Sequence, residues 1–255
     1  MADAQAAQLY EVAEPQAPVR HAPSPDAPLD TEALKGERVA VFETEEGWAH
    51  GRLADDGYVG YLPASALTKV GPTPTHKVAA LRTLVFPGPS IKLPPLEALP
   101  LGSRLAIARV DGPLAVTASD GYVPARHLAP IDTMETDFVA VAERFLGAPY
   151  LWGGKTSLGL DCSGLVQVAL TACGVPCPRD SNMQEQALGA ALPLDLSNLR
   201  RGDLVFWKGH VAIARDATTL LHANAFHMAV AIEPTAEAVV RIRAAGGEVT
   251  SVRRL

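Results

Sequence analysis

Residues 161–172 read Asp161-Cys162-Ser163-Gly164-Leu165-Val166-Gln167-Val168-Ala169-Leu170-Thr171-Ala172. From Cys162 onward the run is apolar on most sides, and Gly174 stops it, so it predicts a buried central helix over 162–172. That helix opens on a cysteine. Its free N–H groups and dipole favour an anion there, and a neighbouring imidazolium favours it further. Together these lower a cysteine pKa from ~8.5 to roughly 3.5–7.5. A cysteine that only packs, as Cys173 reads, has no need of flanking Asp161, Ser163 and Gly164. Cys162 is therefore the candidate nucleophile, and the small Ser163 and Gly164 are expected to leave room for a substrate.

Downstream, a helix over 132–145 is expected, capped by Asp132 or Thr133, with Phe138, Val139, Val141, Ala142 and Phe145 as its apolar stripe. Ser181 with Gln184 three residues on is a capping-box pattern for another helix to about Leu188. Strands are expected at 203–207, 210–214, 219–223, 228–232 and 239–242. Helices first and antiparallel strands after argue an α+β domain. A hairpin closed by residues 214 and 218 would set His210 opposite His222 on one face. One imidazole could then take the thiol proton while the other orients it. His21, His50, His76, His127 and His227 lack such a partner and read as structural.

The first half of the chain reads differently. Residues 1–17 are rich in alanine and proline and look flexible or extended, with the first strand near Val19. Short alternating segments then meet turn signals at Glu45-Glu46-Gly47 and Asp55-Asp56-Gly57. Gly60-Tyr61-Leu62-Pro63-Ala64, with Leu67 three residues on, recurs as Gly121-Tyr122-Val123-Pro124-Ala125 with Leu128. Each copy predicts a strand, a proline-started single turn and a leucine closing a barrel end. The pattern resembles the C-terminal part of bacterial SH3-like domains and implies two small β-barrels, at 18–70 and 76–131. Gly71-Pro72-Thr73-Pro74 joins them, and 132–255 forms the third domain.

The 255 residues carry a net charge of −6 and are 48% hydrophobic and 20% charged. That suits globular cores and gives no basic footprint for nucleic acid. No apolar run approaches the ~20 residues of a membrane span. The N-terminal segment, with Asp3, Glu11 and Glu14, does not read as a signal peptide, so a cytoplasmic protein is expected. Three cysteines do not form a disulfide framework. Cys173 and Cys177 lack a second Cys/His pair at zinc spacing, and no metal or organic cofactor is expected.

The run Gly147-Ala148-Pro149-Tyr150-Leu151-Trp152-Gly153-Gly154, then DCSGL from Asp161, PRDSNMQ from Pro178, GDLVFW from Gly202 and GHVAI from Gly209, closely resembles the NlpC-type peptidoglycan endopeptidases over residues 134–235. The resemblance implies a papain-like α+β domain preceded by two SH3-like barrels. It implies cleavage of the γ-D-glutamyl–diaminopimelate (or lysine) bond of murein peptides, with Cys162 as nucleophile, His210 as base and His222 as the third, orienting residue. Tyr150 would help form the oxyanion hole. The motifs look most like the subgroup that recycles free wall peptides inside the cell. There, the resemblance implies, Asp161 and Ser163 read a free L-Ala amine together with an acidic residue and a tyrosine of the first barrel. Glu45 or Glu46 and Tyr58 or Tyr61 are the candidates, Glu46 and Tyr61 being preferred. Trp152, Arg179 and Ser181 are further candidates to line the cleft, although Arg179, Asp180 and Ser181 could equally serve only to cap the third helix. The partner is a murein tripeptide or tetrapeptide, the protein a monomer or weak oligomer. Two other readings are an exported hydrolase acting on intact wall and a catalytically weak wall-peptide-binding protein.

Overall fold

The computed structural model describes residues 7–255. The chain divides into two compact units, one running through Thr133 and the other from Met134 to Leu255.

The first unit is built from short antiparallel strands. Seven of them form one sheet in the order Leu29–Leu34, Gln16–Arg20, Val59–Pro63, Trp48–Leu53, Arg38–Glu45, Gln8–Val12, Leu67–Lys69. Residues 8–17 are thus not the flexible lead-in that their composition suggests. Gln8–Val12 pairs on both sides, with Arg38–Val41 and with Leu67–Lys69, and buries Val12. Pairing with a strand on each side outweighs the surrounding alanine and proline. Residues 1–6 of the expected flexible segment lie outside the described residues.

Two separate apolar cores lie in this unit. Val12, Val19, Val39, Val41, Leu53 and Leu62 belong to one; Val78, Val85, Leu99, Leu105 and Val123 form the other. The repeated motif has the same structure in both. Pro63 and Pro124, at φ −55 and −54, each precede a single 3-10 turn, Ala64–Ala66 and Ala125–His127. Leu67 and Leu128 follow, each half-buried against its own core. A Cβ on Gly60 would sit 2.6 Å from a methyl of Val19, and one on Gly121 would sit 2.6 Å from a methyl of Val85. Both copies therefore need glycine for the same close approach.

The second unit is a six-stranded antiparallel sheet with four helices. The strand order is Ala190–Leu192, Val249–Arg254, Leu204–Trp207, His210–Ala214, Thr219–Asn224, Ala229–Pro234. The helices are α1 (Phe138–Glu143), α2 (Cys162–Ala172), α3 (Ser181–Ala187) and α4 (Thr235–Ala244). α2 packs on His210–Ala214 and Thr219–Asn224. Ala238 of α4 joins a cluster with Val205, Trp207, Ala212, Ala214 and Leu220. Covered by helices on both faces, the central strands read as near-continuous apolar runs.

Four expectations change here. α1 starts at Phe138, not at 132 or 133, because the Asp137 carboxylate accepts from the Val139 and Ala140 N–H groups at 2.9 and 3.1 Å and fixes the helix start. Residues 239–242, expected as a strand, lie in α4. Val239 and Ile242 face the core one turn apart, Glu237 sits in the first turn, and Arg241 and Arg243 sit in the last, a charge order that suits the helix dipole. The strand that completes the sheet is Val249–Arg254. Ser181 and Gln184 form no capping box: Asp180 precedes α3, and Gln184 Nε2 instead donates to the Ser163 and Pro178 carbonyls at 2.9 Å. The fourth, the hairpin register, concerns the site itself. No helix among the described residues is long and apolar enough to cross a membrane.

Candidate active site

Cys162 is the first residue of α2, and Asp161 is its N-cap, accepting from the Gly164 N–H at 2.7 Å. Asp161 does more than cap. The Gly153 N–H donates to its other oxygen at 2.8 Å, and Arg179 grips both oxygens, Nη1 to Oδ1 at 2.9 Å and Nη2 to Oδ2 at 2.7 Å. The Arg179 side chain is 1% exposed. It also donates to Ser163 Oγ at 2.9 Å and to the Gly154 carbonyl at 3.2 Å. Arg179 therefore neither lines a cleft nor caps α3; it neutralises a buried carboxylate beside the cysteine. Gly164 leaves room for this packing, not for a ligand. A Cβ there would stand 2.4 Å from the Gly154 carbonyl oxygen.

The histidines come together, although not in the expected register. The hairpin closes one residue further out, with Arg215 N–H bonding the Thr219 carbonyl, Ile213 opposite Leu221 and Ala214 opposite Leu220. The shift amounts to two positions, and an even shift preserves the face of the sheet on which a side chain lies. His210 and His222 thus become diagonal neighbours instead of direct ones, and His210 Nε2 still lies 2.8 Å from His222 Nδ1. His222 is 1% exposed. The Val211 N–H, one residue after His210, and the Ser163 N–H both favour negative charge on the Cys162 sulfur.

Tyr150 lies near enough to Cys162 and Asp161 to feel their charges. Burial first, then the neighbouring Cys162 and Asp161, push its hydroxyl up to about 12, so it remains a proton donor. Trp152 is largely exposed, and Ser181 is half-buried at the start of α3. In the other unit, Glu46 and Gly47 form a two-residue hairpin loop with φ of 48 and 84, the primed turn that right-twisted strands favour. Tyr61 stacks on His50 with ring centroids 4.6 Å apart. Glu45 is exposed, and Tyr58 is half-buried against the first core.

The charge state of the cysteine runs against the helix-tip argument. Burial above all, with the Asp161 charge behind it, pushes the thiol up to about 11; the Val211 and Ser163 N–H groups and Arg179 oppose this and lose. Burial above all, with the neighbouring His222 and Arg241 behind it, pushes His210 down to about 3. The free enzyme thus holds Cys162 as a neutral thiol and His210 as a neutral imidazole. Alkylation of Cys162 by iodoacetamide is expected to speed up roughly tenfold per pH unit between about pH 6 and 9. A rate already level by pH 6 would instead show a standing thiolate.

Two residues of the site escaped the sequence reading, Glu233 and Arg241. Glu233 Oε1 lies 2.7 Å from His222 Nε2, and Arg241 Nη2 donates to the same oxygen. The usable signal was the alternation of 229, 231 and 233 on the strand beside His222.

Comparison with known proteins agrees with this architecture. Residues 19–67 match the bacterial dipeptidyl-peptidase Sh3 domain, and residues 147–246 match the NlpC/P60 family. The γ-D-glutamyl-L-lysine dipeptidyl-peptidase of Bacillus subtilis is 31% identical across 78% of this chain and 73% of its own length. The Bacillus cereus protein of the same name is 27% identical across 81% of this chain and 70% of its own. The crystal structure of an NlpC/P60 family protein from Bacillus cereus superposes with a TM-score of 0.81, covering 97% of this chain and 99% of that one at 21% identity, and so shares the fold. A cysteine at the tip of a buried helix, two hydrogen-bonded histidines on neighbouring strands, and these likenesses lead to one conclusion: the chain belongs to the NlpC/P60 family of cysteine peptidases, its papain-like α+β domain following a bacterial SH3 region.

Proposed function

We propose that the protein hydrolyses the γ-D-glutamyl–diamino acid bond of murein peptides that carry a free N-terminal L-Ala, releasing L-Ala-γ-D-Glu. The hydrogen-bonded pair of His210 and His222 beside Cys162 carries this reading. The names of the Bacillus relatives support the bond type. Cys162 Sγ attacks the γ-carbonyl of D-Glu while its proton passes to His210. The Tyr150 hydroxyl and the Cys162 N–H stabilise the oxyanion. His210 protonates the leaving amine, and then draws a proton from the water that frees the acyl group.

Asp161 already accepts five hydrogen bonds and is paired with Arg179. It offers the amine an oxygen, not an isolated charge. We assign Ser163 a part in the same recognition and, on resemblance alone, Glu46 and Tyr61 as well. Residues 76–131, with their own core and the repeated turn, form on this reading a second barrel of the SH3-like kind. A preference for free peptides fits recycling of wall fragments inside the cell.

The test is incubation with L-Ala-γ-D-Glu-meso-diaminopimelate and its N-acetylated copy, followed by mass analysis. The free peptide is expected to be cleaved, and the blocked one at less than roughly a tenth of that rate, about 1.4 kcal/mol of discrimination. Equal rates would defeat amine recognition, release of fragments from intact sacculi would defeat the recycling role, and no cleavage of either peptide would defeat the peptidase assignment.

A further inference from the structure

The chain of hydrogen bonds that begins at His210 runs past His222 to Glu233 and Arg241. His222 and Glu233 are 1% and 8% exposed, and the Arg241 guanidinium also sits 4.5 Å above the Phe226 ring. The far end of this chain dictates where its protons lie. Burial alone would raise the Glu233 carboxyl, but hydrogen bonds from His222 and Arg241 hold it at about 2. A carboxylate only accepts, so His222 Nε2 carries a hydrogen. In a neutral imidazole the other nitrogen is then bare. His222 Nδ1 must accept from His210, which places the His210 hydrogen on Nε2. The remaining His210 nitrogen, Nδ1, keeps its lone pair. Run in the opposite sense, the same chain would place a hydrogen on His210 Nδ1 and leave nothing to take the thiol proton.

We propose that Glu233, clamped by Arg241, is a positioning residue that sets the tautomers of both histidines and thereby makes His210 Nδ1 a base. This rests on the peptidase reading above, in which His210 is that base. Arg241 has its own part. It donates to the same Glu233 oxygen that faces His222 Nε2 and so holds that oxygen in place as the acceptor. α4 contributes to the site in this way through Arg241.

The experiment uses the full chain labelled with 15N-histidine. Long-range proton–nitrogen correlation at mildly alkaline pH distinguishes bare from protonated ring nitrogens, and kcat and KM are measured on the tripeptide. In the parent, both His210 and His222 are expected to carry hydrogen on Nε2. Glu233→Gln keeps an oxygen that can accept from His222 and Arg241, so its spectrum should match the parent and its kcat should stay within about fivefold. Glu233→Ala is expected to show mixed tautomers at both rings and a kcat lower by at least roughly tenfold, with KM within about threefold. A parent spectrum with hydrogen on His210 Nδ1 overturns the proposal, whether or not the alanine variant folds. So does a Glu233→Ala variant with parental tautomers, or with kcat within about twofold of the parent. The spectrum needs no substrate, so a protein that fails to cleave murein peptides but shows the Nε2 tautomers loses the peptidase reading while keeping the tautomer order.

Discussion

Cys162→Ala is expected to lose on the order of 10⁵–10⁶ in kcat on murein tripeptide while remaining folded. Cys162 is 6% exposed at the start of a helix buried on nearly every side, and alanine fits the same space at the cost of only a small void. The Tyr150 hydroxyl is held up to about 12, too weakly acidic to replace a thiol near neutrality. His210→Ala should fall nearly as far, since it removes the group that takes the proton. His222→Ala should keep roughly ten- to a hundredfold more activity than His210→Ala, because the base survives and only its orientation is lost. Single-turnover mass analysis gives the ranking. Residual turnover in Cys162→Ala above about a hundredth of the parent would remove the cysteine from the mechanism, and the reverse ranking of the histidines would exchange their roles.

Arg179→Met is expected to destabilise the second unit by about 3–5 kcal/mol, the usual cost of stranding one member of a buried ion pair. The change removes two bonds to Asp161, one to Ser163 and one to the Gly154 carbonyl. What remains is a carboxylate on a side chain only 9% exposed, held by backbone N–H groups and a hydroxyl. Asp161→Asn/Arg179→Met should lose less than the sum of the single losses, because the amide needs no counter-charge and still caps α2. Denaturant midpoints at constant slope measure each difference. An Arg179→Met variant within about 1 kcal/mol of the parent would show that the pair contributes little net stability.

What was legible depended on how local the constraint is. Cys162–Ala172 was bounded correctly because the Asp161 cap, the apolar run and Gly174 all lie within one short stretch. The repeated Gly-Tyr-Leu/Val-Pro-Ala turn was legible for the same reason. Both copies demand a glycine against a valine methyl and a proline at the start of a turn. Misreadings arose where the deciding partner was remote. Val239, Val240 and Ile242 have strand-like side chains, and only the core beneath α4 selects the helix. Gln8–Val12 has no strong pattern of its own and is ordered by two flanking strands. Arg179 looked like a cleft or capping residue because its partner lies 18 positions away in the chain.

The amino-acid sequence by itself determined the helix that opens on Cys162 and the face of the hairpin that His210 and His222 share. These follow from neighbours in the chain and from a two-residue periodicity that an even slip in register leaves intact. Tertiary structure alone decided the protons. Burial keeps the thiol and the imidazole neutral, Arg179 cancels the charge on Asp161, and Glu233 with Arg241 orders the hydrogens along the histidine pair. The reason is electrostatic. The cost of a charge and the direction of a hydrogen bond depend on how far water is excluded and on which group faces which, and both are set only when distant segments pack together.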